Sequence, residues 1–346
     1  MSVDGVDAAI DVLCATVAAA PSVVPVGSGT HVDVGGAPTG AVAVRAPAGI
    51  VEHLPEELIV TVGAGTTVAE LDAVLAAAGQ HCPLDPRDPR ATVGGLLATG
   101  LSGTRRLRYR PLRDRVLEVH LVTGDGRRVK GGGRVVKNVS GYDVCRLVVG
   151  SLGTLGVIAQ VTLRCEPLPA ARAWLACDLP VTDAVARAHR PTTVLTDGRR
   201  TSVLVEGHPA DLDEEAARLG ARPDPDPLTL PDGPHRGRIS VRPGALDACG
   251  RDLHALGVAW VGEGGVGTVH VATGDPGALA EARRVAHTHG GWLLREAGAP
   301  DLDPFGVALP VGALQARIKA ALDPRGACNP GRLPYPVAAT PVGSAA

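Results

Sequence analysis

A chain of 346 residues is longer than one hydrophobic core usually serves, so two domains are expected. Hydrophobic residues make up 45% of it and charged residues 20%, which is the composition of a globular protein. The formal net charge of −2 gives no case for nucleic acid, whose binding proteins are strongly basic. No uninterrupted apolar run predicts a transmembrane segment, and the start MSVDGVDAAIDVLC carries acidic residues where a signal peptide carries basic ones. We therefore expect a cytoplasmic protein.

The cysteines indicate a reducing environment. Seven of them are scattered along the chain, and none of them forms a C-x-x-C pair. A disulfide framework, a zinc site and an iron–sulfur cluster are therefore not expected, and no metal site is predicted. The one concentration of charge is an arginine-rich stretch from Arg105 to Arg115, which is either a solvated loop or a surface that faces an acidic partner or substrate.

The first part of the chain alternates between short strands and helices. Val6, Ile10, Leu13 and Val17 recur at helical intervals and predict an amphipathic helix that ends before Pro21. The following VVPVGSGTHVDVGG predicts a strand, a tight turn and a second strand, and AVAVRAP and LIVTVGAGT predict further strands.

The next segments have clear boundary signals. TTVAELDAVLAAAGQ predicts a helix that Thr66 or Thr67 caps, because Glu70 follows Thr67 with capping-box spacing and Gly79 ends the apolar pattern. CPLDPRDPR predicts an extended loop, and VLEVHLVTGDGRRVK predicts a hairpin around a Gly-Asp-Gly turn. A short helix in DVCRLVVG and a strand after GSLGTLG complete this region.

After Pro167 the pattern changes to alternating short strands and helices with antiparallel returns, which predicts an α+β domain of ferredoxin-like type. The predicted strands are WLACDLP, TTVLTDG, TSVLVEG, GRISVRPG, VAWVGEGG and GTVHVATG. The predicted helices are TDAVARAHR, ADLDEEAARLG, GALDACGRDLHALG and GALAEARRVAHTHG. RPDPDPLTLPDGPHRG between them predicts a proline-rich loop.

Two glycine-rich blocks stand out: ATVGGLLATGLSG at 91–103 and VVKNVSGYDVCRLVVGSLGTLGVI at 135–158. Glycine is costly inside apolar sequence because it loses the most backbone freedom on folding and packs against nothing. Close approach of a ligand is one reason for it, since bare N–H groups in a glycine-rich bend form a concave nest for phosphate oxygens. A run of turns is the other, and spacing alone leaves both open.

These blocks resemble the flavin domain of the vanillyl-alcohol-oxidase-type, or PCMH-type, FAD-binding oxidoreductases. Within that superfamily, the pairing of KNVSGYD with GSLGTLGVI is most similar to the FAD-binding subunits of bacterial glycolate oxidases. The resemblance covers residues 20–168 and a C-terminal piece, DPRGACNPGRL. It implies an α+β fold in which a two-subdomain FAD-binding domain carries a ferredoxin-like cap. The expected boundaries are 1–168 for the FAD domain, 169–310 for the cap, 311–336 for a return to the FAD domain and 337–346 for a disordered tail.

The resemblance also implies FAD as cofactor and a set of residues along it. The implied cofactor-binding residues are Val26, Gly27, Ser28, Gly29, Thr30, His31, Pro86, Thr92, Val93, Gly94, Gly95, Thr99, Ser102, Gly103, Gly156, Ile158 and Asn329. Some members attach flavin through a histidine in the first loop, but Thr30 occupies that position here and His31 comes one residue later. We therefore expect non-covalent FAD. Asn329 is either a flavin contact or a turn-forming residue before a proline.

The catalytic residues are unknown from sequence. Lys137, Asn138, Tyr142 and Asp143 in KNVSGYD are either functional or serve to cap a helix, and the histidines of the cap form no cluster. This absence predicts a subunit that holds FAD and passes electrons while another polypeptide binds the substrate or carries iron–sulfur clusters. The resemblance implies glycolate or lactate as the hydroxy acid oxidised. The implied partners are a second flavin subunit and an iron–sulfur subunit. The alternatives are a self-sufficient FAD dehydrogenase of another alcohol or hydroxy acid and a non-enzymatic scaffold. A Rossmann-type NAD enzyme is disfavoured because no strand leads into G-x-G-x-x-G.

Overall fold

A computed structural model describes residues 3–39, 42–134, 143–307 and 312–333, which form two compact units. The first unit takes its described residues from 3–102, 111–167 and 312–333, and the second from 103–110 and 168–307. Residues 103–110, which were expected in the FAD domain, group with the second unit. The expected tail at 337–346 lies outside the described residues. Among those residues, no helix has the length and hydropathy needed to cross a membrane.

The first unit combines short helices with mostly antiparallel strands. Its elements are α1 (Val3–Ala19), β1 (Val23–Pro25), β2 (Val42–Val44), β3 (Ile50–Leu54), β4 (Ile59–Gly63), α2 (Val68–Ala77), β5 (Gln80–His81), α3 (Val93–Thr99), β6 (Val116–Val122), β7 (Arg128–Gly132), α5 (Val144–Val148), β8 (Val157–Arg164), β9 (Glu166–Pro167) and α10 (Gly312–Leu322). The main sheet has the order β3-β4-β8-β6-β7, and all its neighbours are antiparallel. β1 pairs with β2 in parallel, and β5 pairs with β9.

The second unit is built on one large sheet. Its elements are α4 (Arg106–Tyr109), β10 (Ala171–Cys177), α6 (Val181–Arg187), β11 (Thr193–Thr196), β12 (Thr201–Gly207), α7 (Pro209–Leu219), β13 (Arg222–Pro223), β14 (His235–Ser240), α8 (Leu246–Ala255), β15 (Ala259–Glu263), β16 (Thr268–Thr273), α9 (Pro276–Thr288) and β17 (Trp292–Ala297). The eight strands have the order β13-β10-β12-β11-β15-β16-β14-β17. The predicted α+β class is confirmed.

Each unit has a hydrophobic core that follows the predicted patterns. The apolar stripe of α1 (Val6, Ile10, Leu13, Val17) is buried against Val23 and other residues of the first unit, as its spacing predicts. A second cluster under the main sheet contains Leu71, Leu96 and Leu163. In the second unit, α6, α7, α8 and α9 share one core with the sheet. Each fully buried Leu or Val contributes about 1.5–3 kcal/mol through removal of its apolar surface from water.

Local signals set the helix boundaries next to the glycine-rich loops. Thr67 and Glu70 form the predicted capping box of α2: Oγ1 of Thr67 accepts from the Glu70 amide, and the Glu70 carboxylate accepts from the Thr67 amide. Thr92 caps α3, because its Oγ1 accepts from the amide of Gly95 at 3.2 Å. Gly100 ends α3 with φ of +69°. These caps determine where the chain leaves each helix and turns toward the candidate site.

The strand predictions differ from the structure at several places, since β3, β5, β13 and β17 lie where no strand was predicted. The second strand predicted within VVPVGSGTHVDVGG is absent, since residues 30–36 form turns and bends, and β1 pairs instead with β2. The backbone carbonyls of Val32, Val34 and Gly36 all accept hydrogen bonds from Arg332, which pulls this stretch into a loop. In the second unit, β17 pairs with β14 although no strand was predicted at 292–297. Its charged Arg295 and Glu296 break the alternation that marks a strand.

Candidate functional site

Two adjoining cavities in the first unit collect the glycine-rich loops. The larger has a volume of about 300 Å³ and the smaller about 70 Å³, and they share residues including Gly27, Thr92, Gly95 and Asn329. The loop after β1, the start of α3, the loop before β8 and the C-terminal segment after α10 form their walls. The lining is mostly glycine and small apolar side chains with a few polar groups, which is typical of small-molecule and cofactor sites.

Most of the predicted cofactor residues line these cavities. Thirteen do so: Val26, Gly27, Ser28, Gly29, Thr30, His31, Thr92, Gly94, Gly95, Thr99, Gly156, Ile158 and Asn329. These residues come from four separate parts of the sequence, and the fold brings those parts together around the cavities. Their contact with FAD stays a prediction.

The other four predicted residues are absent from the cavity walls. Val93 belongs to the hydrophobic core under the main sheet. Ser102 is buried, and its hydroxyl accepts from the amide of Leu112 at 3.2 Å. Gly103 groups with the second unit, and Pro86 is half-buried in its loop. Of the KNVSGYD stretch, residues 137, 138 and 142 lie outside the described residues, whereas Asp143 caps α5 by accepting from the amide of Arg146.

Close packing explains why the loop after β1 requires a glycine. A Cβ placed on Gly27 would overlap Oγ1 of Thr92. Gly94 is equally confined, since its Cβ would lie 2.8 Å from the Cβ of Ala64. The carbonyl oxygen of Gly27 accepts from Arg45 at 2.6 Å. The loop that carries Gly27 therefore contacts the glycine-rich block at 91–103, and both line the cavities.

Asn329 contributes a polar group that the described protein does not satisfy. Its backbone has φ of +46°, and its backbone N–H donates to the carbonyl oxygen of Val23 at 2.7 Å. Nδ2 donates to the carbonyl oxygen of Leu152 at 2.6 Å, which fixes the side chain across the cavity wall. Oδ1 is buried and has no hydrogen-bond partner among the described residues. A buried acceptor without a partner is costly, so a ligand donor at this point would be favourable.

A buried ion pair holds the C-terminal segment against the rest of the site. Nζ of Lys319 donates to the carbonyl oxygens of Thr154 (2.5 Å) and Cys328 (3.0 Å) and is paired with Asp323. The Asp323 carboxylate also accepts from the amides of Ala327 (2.9 Å) and Cys328 (2.7 Å). Cys328 in turn bridges to Val23 of β1. The segment that carries Asn329 is therefore fastened to the loop before β8 and to the strand that enters the first glycine loop.

Sequence reasoning missed several residues of the larger cavity, of which Leu152 and Arg332 matter most for the site. Leu152 has φ of +53° and lies within GSLGTLG, where only the glycines carried a recognisable signal. Arg332 lies in the DPRGACNPGRL motif, but nothing in the sequence indicated that it would be buried. Both residues lie within motifs that the sequence analysis recognised, but the sequence did not indicate how their side chains are oriented.

The residues fit a flavin dinucleotide. Glycines allow backbone approach, Asn329 offers an unsatisfied acceptor, and the remaining wall is apolar enough for an isoalloxazine ring. Within the described ranges, no group of three or more His, Cys, Asp and Glu side chains is arranged to hold a metal ion. Fold and cavity together define a cofactor-binding domain of the kind that the sequence predicted.

Comparison with known proteins identifies the class of this domain. The family described as FAD binding domain matches residues 3–132 of the chain. This match, with the relatives below, confirms the predicted resemblance to PCMH-type FAD-binding oxidoreductases and FAD as the cofactor. The match ends before the second glycine block and the C-terminal segment, which the structure adds to the cavity.

Two curated proteins are similar to part of this chain. The chain is 40% identical over 145 residues to the glycolate oxidase subunit GlcE of Escherichia coli (strain K12), which covers 41% of each protein. It is 40% identical over 125 residues to the mitochondrial D-lactate dehydrogenase [cytochrome] of Arabidopsis thaliana, which covers 36% of this chain and 22% of that protein. The matches thus span less than half of either curated relative.

A solved structure extends the comparison to nearly the whole chain. Alkyldihydroxyacetonephosphate synthase in its P1 crystal form superposes with a TM-score of 0.65 at 14% identity, and covers 94% of this chain and 75% of that protein. At this identity the likeness concerns the fold alone. It is consistent with the α+β fold predicted for both parts of the chain.

Proposed function

We propose that the chain binds FAD non-covalently in the paired cavities and acts as a subunit of an oxidoreductase that oxidises a small 2-hydroxy acid. Electrons would pass from this chain to partner subunits. The observation that carries the proposal is the buried, unpartnered Oδ1 of Asn329 in a wall otherwise built from the glycine loops. Such a wall leaves room for a large planar ligand and offers it a hydrogen-bond acceptor.

The residues of the chain have separate tasks in this proposal. Bound flavin supplies a two-electron acceptor for hydride. The loop from Gly27 to Thr30 would hold the cofactor through backbone N–H groups. The start of α3, whose amides donate within the protein, would form the wall beside it. Asn329 orients it, because its Nδ2 is committed to Leu152 and only Oδ1 remains to accept a donor. The apolar walls exclude water from the bound ring.

The substrate class and the partners rest on the relatives. Glycolate and D-lactate, which appear in the names of the two curated relatives, are both small 2-hydroxy acids. GlcE is named as a subunit, so we propose a second flavin subunit and an iron–sulfur subunit as partners of this chain. Such partners would place it in the cytoplasm or against the inner face of the membrane.

An anaerobic absorption spectrum of the purified chain tests the proposal. We expect a flavin spectrum that glycolate and D-lactate leave unchanged until the partner subunits are added, and that then bleaches. Acid precipitation should release all the flavin into the supernatant, because attachment is non-covalent. A colourless protein that does not take up added FAD would contradict the cofactor assignment, and a spectrum that stays oxidised with all partners present would contradict the substrate class.

A second candidate, a self-sufficient dehydrogenase, is favoured by one pair of residues in the second unit. Nε2 of His270 lies 2.7 Å from Oε1 of Glu263, and both side chains are buried. Val269 and Val271 belong to the core beneath the helices, so His270 between them projects from the opposite face of the sheet. Nδ1 of His270 and Oε2 of Glu263 have no partner among the described residues.

A carboxylate that orients an imidazole is an arrangement that general bases use. If this candidate holds, glycolate or D-lactate bleaches the flavin of the chain alone. His270→Gln should then slow the bleaching without loss of flavin, and Glu263→Gln should move its pH profile. Equal bleaching rates in the wild type and His270→Gln would remove the pair from catalysis.

A further inference from the structure

Arg332 places a positive charge in the wall of the larger cavity. Only 9% of the residue is exposed. Its Nη1 donates to the carbonyl oxygens of Val32 (2.6 Å), Val34 (3.1 Å) and Gly36 (3.0 Å). These bonds hold the loop that continues from the first glycine motif. They also fix the guanidinium against the cavity, so its charge cannot move out to solvent as that of an exposed arginine can.

The charge of Arg332 has no counter-ion in the described part of the chain. No carboxylate oxygen there lies within 4.0 Å of its guanidinium nitrogens. Burial lowers the pKa of Arg332, and the more distant Asp33 opposes this effect. Three carbonyl dipoles satisfy hydrogen-bond donors but carry no net charge. A buried ion without a partner is strongly unfavourable, so the cavity favours a ligand that brings a negative charge.

The other buried cation of this segment provides a contrast. Lys319 is paired with the Asp323 carboxylate, so its charge is neutralised within the protein. Arg325 lies between this pair and Arg332 in the sequence, and it donates to the carbonyl oxygens of residues 17, 18 and 20 at the end of α1. Neither Lys319 nor Arg325 lines the cavity. Arg332 alone among the three combines burial, cavity exposure and an unbalanced charge.

We propose that Arg332 is the cation that balances the phosphate groups of the bound flavin, and that it selects FAD over uncharged riboflavin. This inference rests on the proposed cofactor site. The charge of Arg332 recognises a phosphate and contributes nothing to the isoalloxazine ring. Its effect should therefore appear in the affinity for phosphorylated flavins and be absent from the affinity for riboflavin.

Titration of the flavin-free protein by flavin fluorescence tests this assignment. Arg332→Gln keeps a hydrogen-bond donor and removes the charge, Arg332→Lys keeps the charge, and Arg325→Gln removes a neighbouring arginine away from the cavity. Arg332→Gln should weaken FAD binding about tenfold or more, the effect of one charge-assisted hydrogen bond. Its affinity for riboflavin should change less than about twofold, within the scatter of neutral substitutions. Arg332→Lys should keep most of the preference for FAD, and Arg325→Gln all of it.

The salt dependence of binding supplies a second readout that does not require activity. FAD affinity of the wild type should fall as KCl rises, because screening weakens charge pairing. In Arg332→Gln this dependence should be reduced. Circular dichroism melts establish that each variant is folded, and if Arg332→Gln does not fold, the comparison of Arg332→Lys with Arg325→Gln carries the test.

The outcomes separate this inference from the proposed cofactor site. A wild type that does not bind FAD would contradict the site itself. If the wild type binds FAD and Arg332→Gln loses FAD and riboflavin equally, Arg332 only shapes the loop and the inference is wrong. Unchanged FAD affinity in Arg332→Gln, or a loss of FAD preference in Arg332→Lys as large as in Arg332→Gln, would also overturn it.

Discussion

Nζ of Lys319 donates a 2.5 Å hydrogen bond to the carbonyl oxygen of Thr154, although 165 positions separate the two residues. The same ammonium is paired with Asp323 inside the protein. Removal of one partner of a buried ion pair leaves the other charge uncompensated. The stability of the first unit should therefore depend on Lys319 more than on any exposed basic residue of α10.

Lys319→Met should lower the free energy of unfolding by about 3–5 kcal/mol, because Asp323 would be left as a buried carboxylate without its cation. Urea unfolding of the flavin-free protein measures this loss. Arg317→Met, an exposed position on the same helix, should change the value by less than about 0.5 kcal/mol. Similar midpoints for the two variants would show that the pair contributes little.

Gly27→Ala should abolish or strongly reduce flavin content, because the added Cβ would overlap Oγ1 of Thr92 and displace the loop from α3. The ratio of flavin to protein absorbance after purification measures the effect. Thr92→Ala in the same chain should restore part of the flavin, at a cost of about 1 kcal/mol for the lost helix cap. Gly244→Ala is the control, since no atom lies within 4 Å of its Cβ. Full flavin content in Gly27→Ala would contradict the packing argument.

Two substitutions at Asn329 separate the effect of its side-chain amide from the effect of its backbone conformation. Asn329→Ala removes the amide and places alanine at φ of +46°, whereas Asn329→Gly removes the amide but suits that backbone. Both variants should bind FAD more weakly by about tenfold, since each loses the acceptor Oδ1. Both variants lose the hydrogen bond to Leu152, and Asn329→Ala should be less stable than Asn329→Gly by about 1 kcal/mol because only alanine is strained at this φ. Unchanged FAD affinity in Asn329→Gly would exclude a role for the side chain in cofactor binding.

His120 should make stability fall in mild acid. Burial lowers the pKa of His120, and Arg128 adds to this effect while Glu118 opposes it. The unfolded chain therefore takes up a proton near pH 6.5, before the folded protein does. Above that pH the residue is neutral in both states and has no effect; as the pH falls below it, stability declines.

Urea unfolding between pH 5 and 8 measures this dependence. His120→Asn should lose less stability between pH 7 and pH 5 than the wild type. His254→Gln, exposed on α8, should lose as much as the wild type. A steeper decline in His120→Asn than in the wild type would reverse the expected sign.

The sequence predicted the elements whose signals are local. The capping box at Thr67 and Glu70 was identified because both partners lie within one turn. Residues of both glycine blocks line the cavities, and their contact with a cofactor stays a prediction. The predictions that failed concerned segments whose structure depends on residues distant in the sequence. The loop at 30–36 alternates as a strand does, but Arg332 supplies its hydrogen bonds from 296 or more positions away.

Side-chain orientation was the second feature that the sequence did not predict. Val93 lies between Thr92 and Gly94, both cavity residues, yet its side chain enters the core because consecutive helix residues face different directions. Ser102 was expected along the cofactor and instead accepts from the amide of residue 112. The pair of Glu263 and His270 was not predicted because seven positions separate them, and only the register of β15 and β16 brings them together.

The bridge between Val23 and Cys328 has a consequence for biosynthesis. β1 pairs with β2 nearby in the sequence, but its bridge to Cys328 can form only after residue 328 has been synthesised. The second unit, at 168–307, is synthesised in the interval. We therefore expect the cofactor to bind after translation. A chain interrupted before Asn329 would keep most of its residues but would lack part of the cavity wall. Flavin content then reports whether synthesis reached the C-terminal segment.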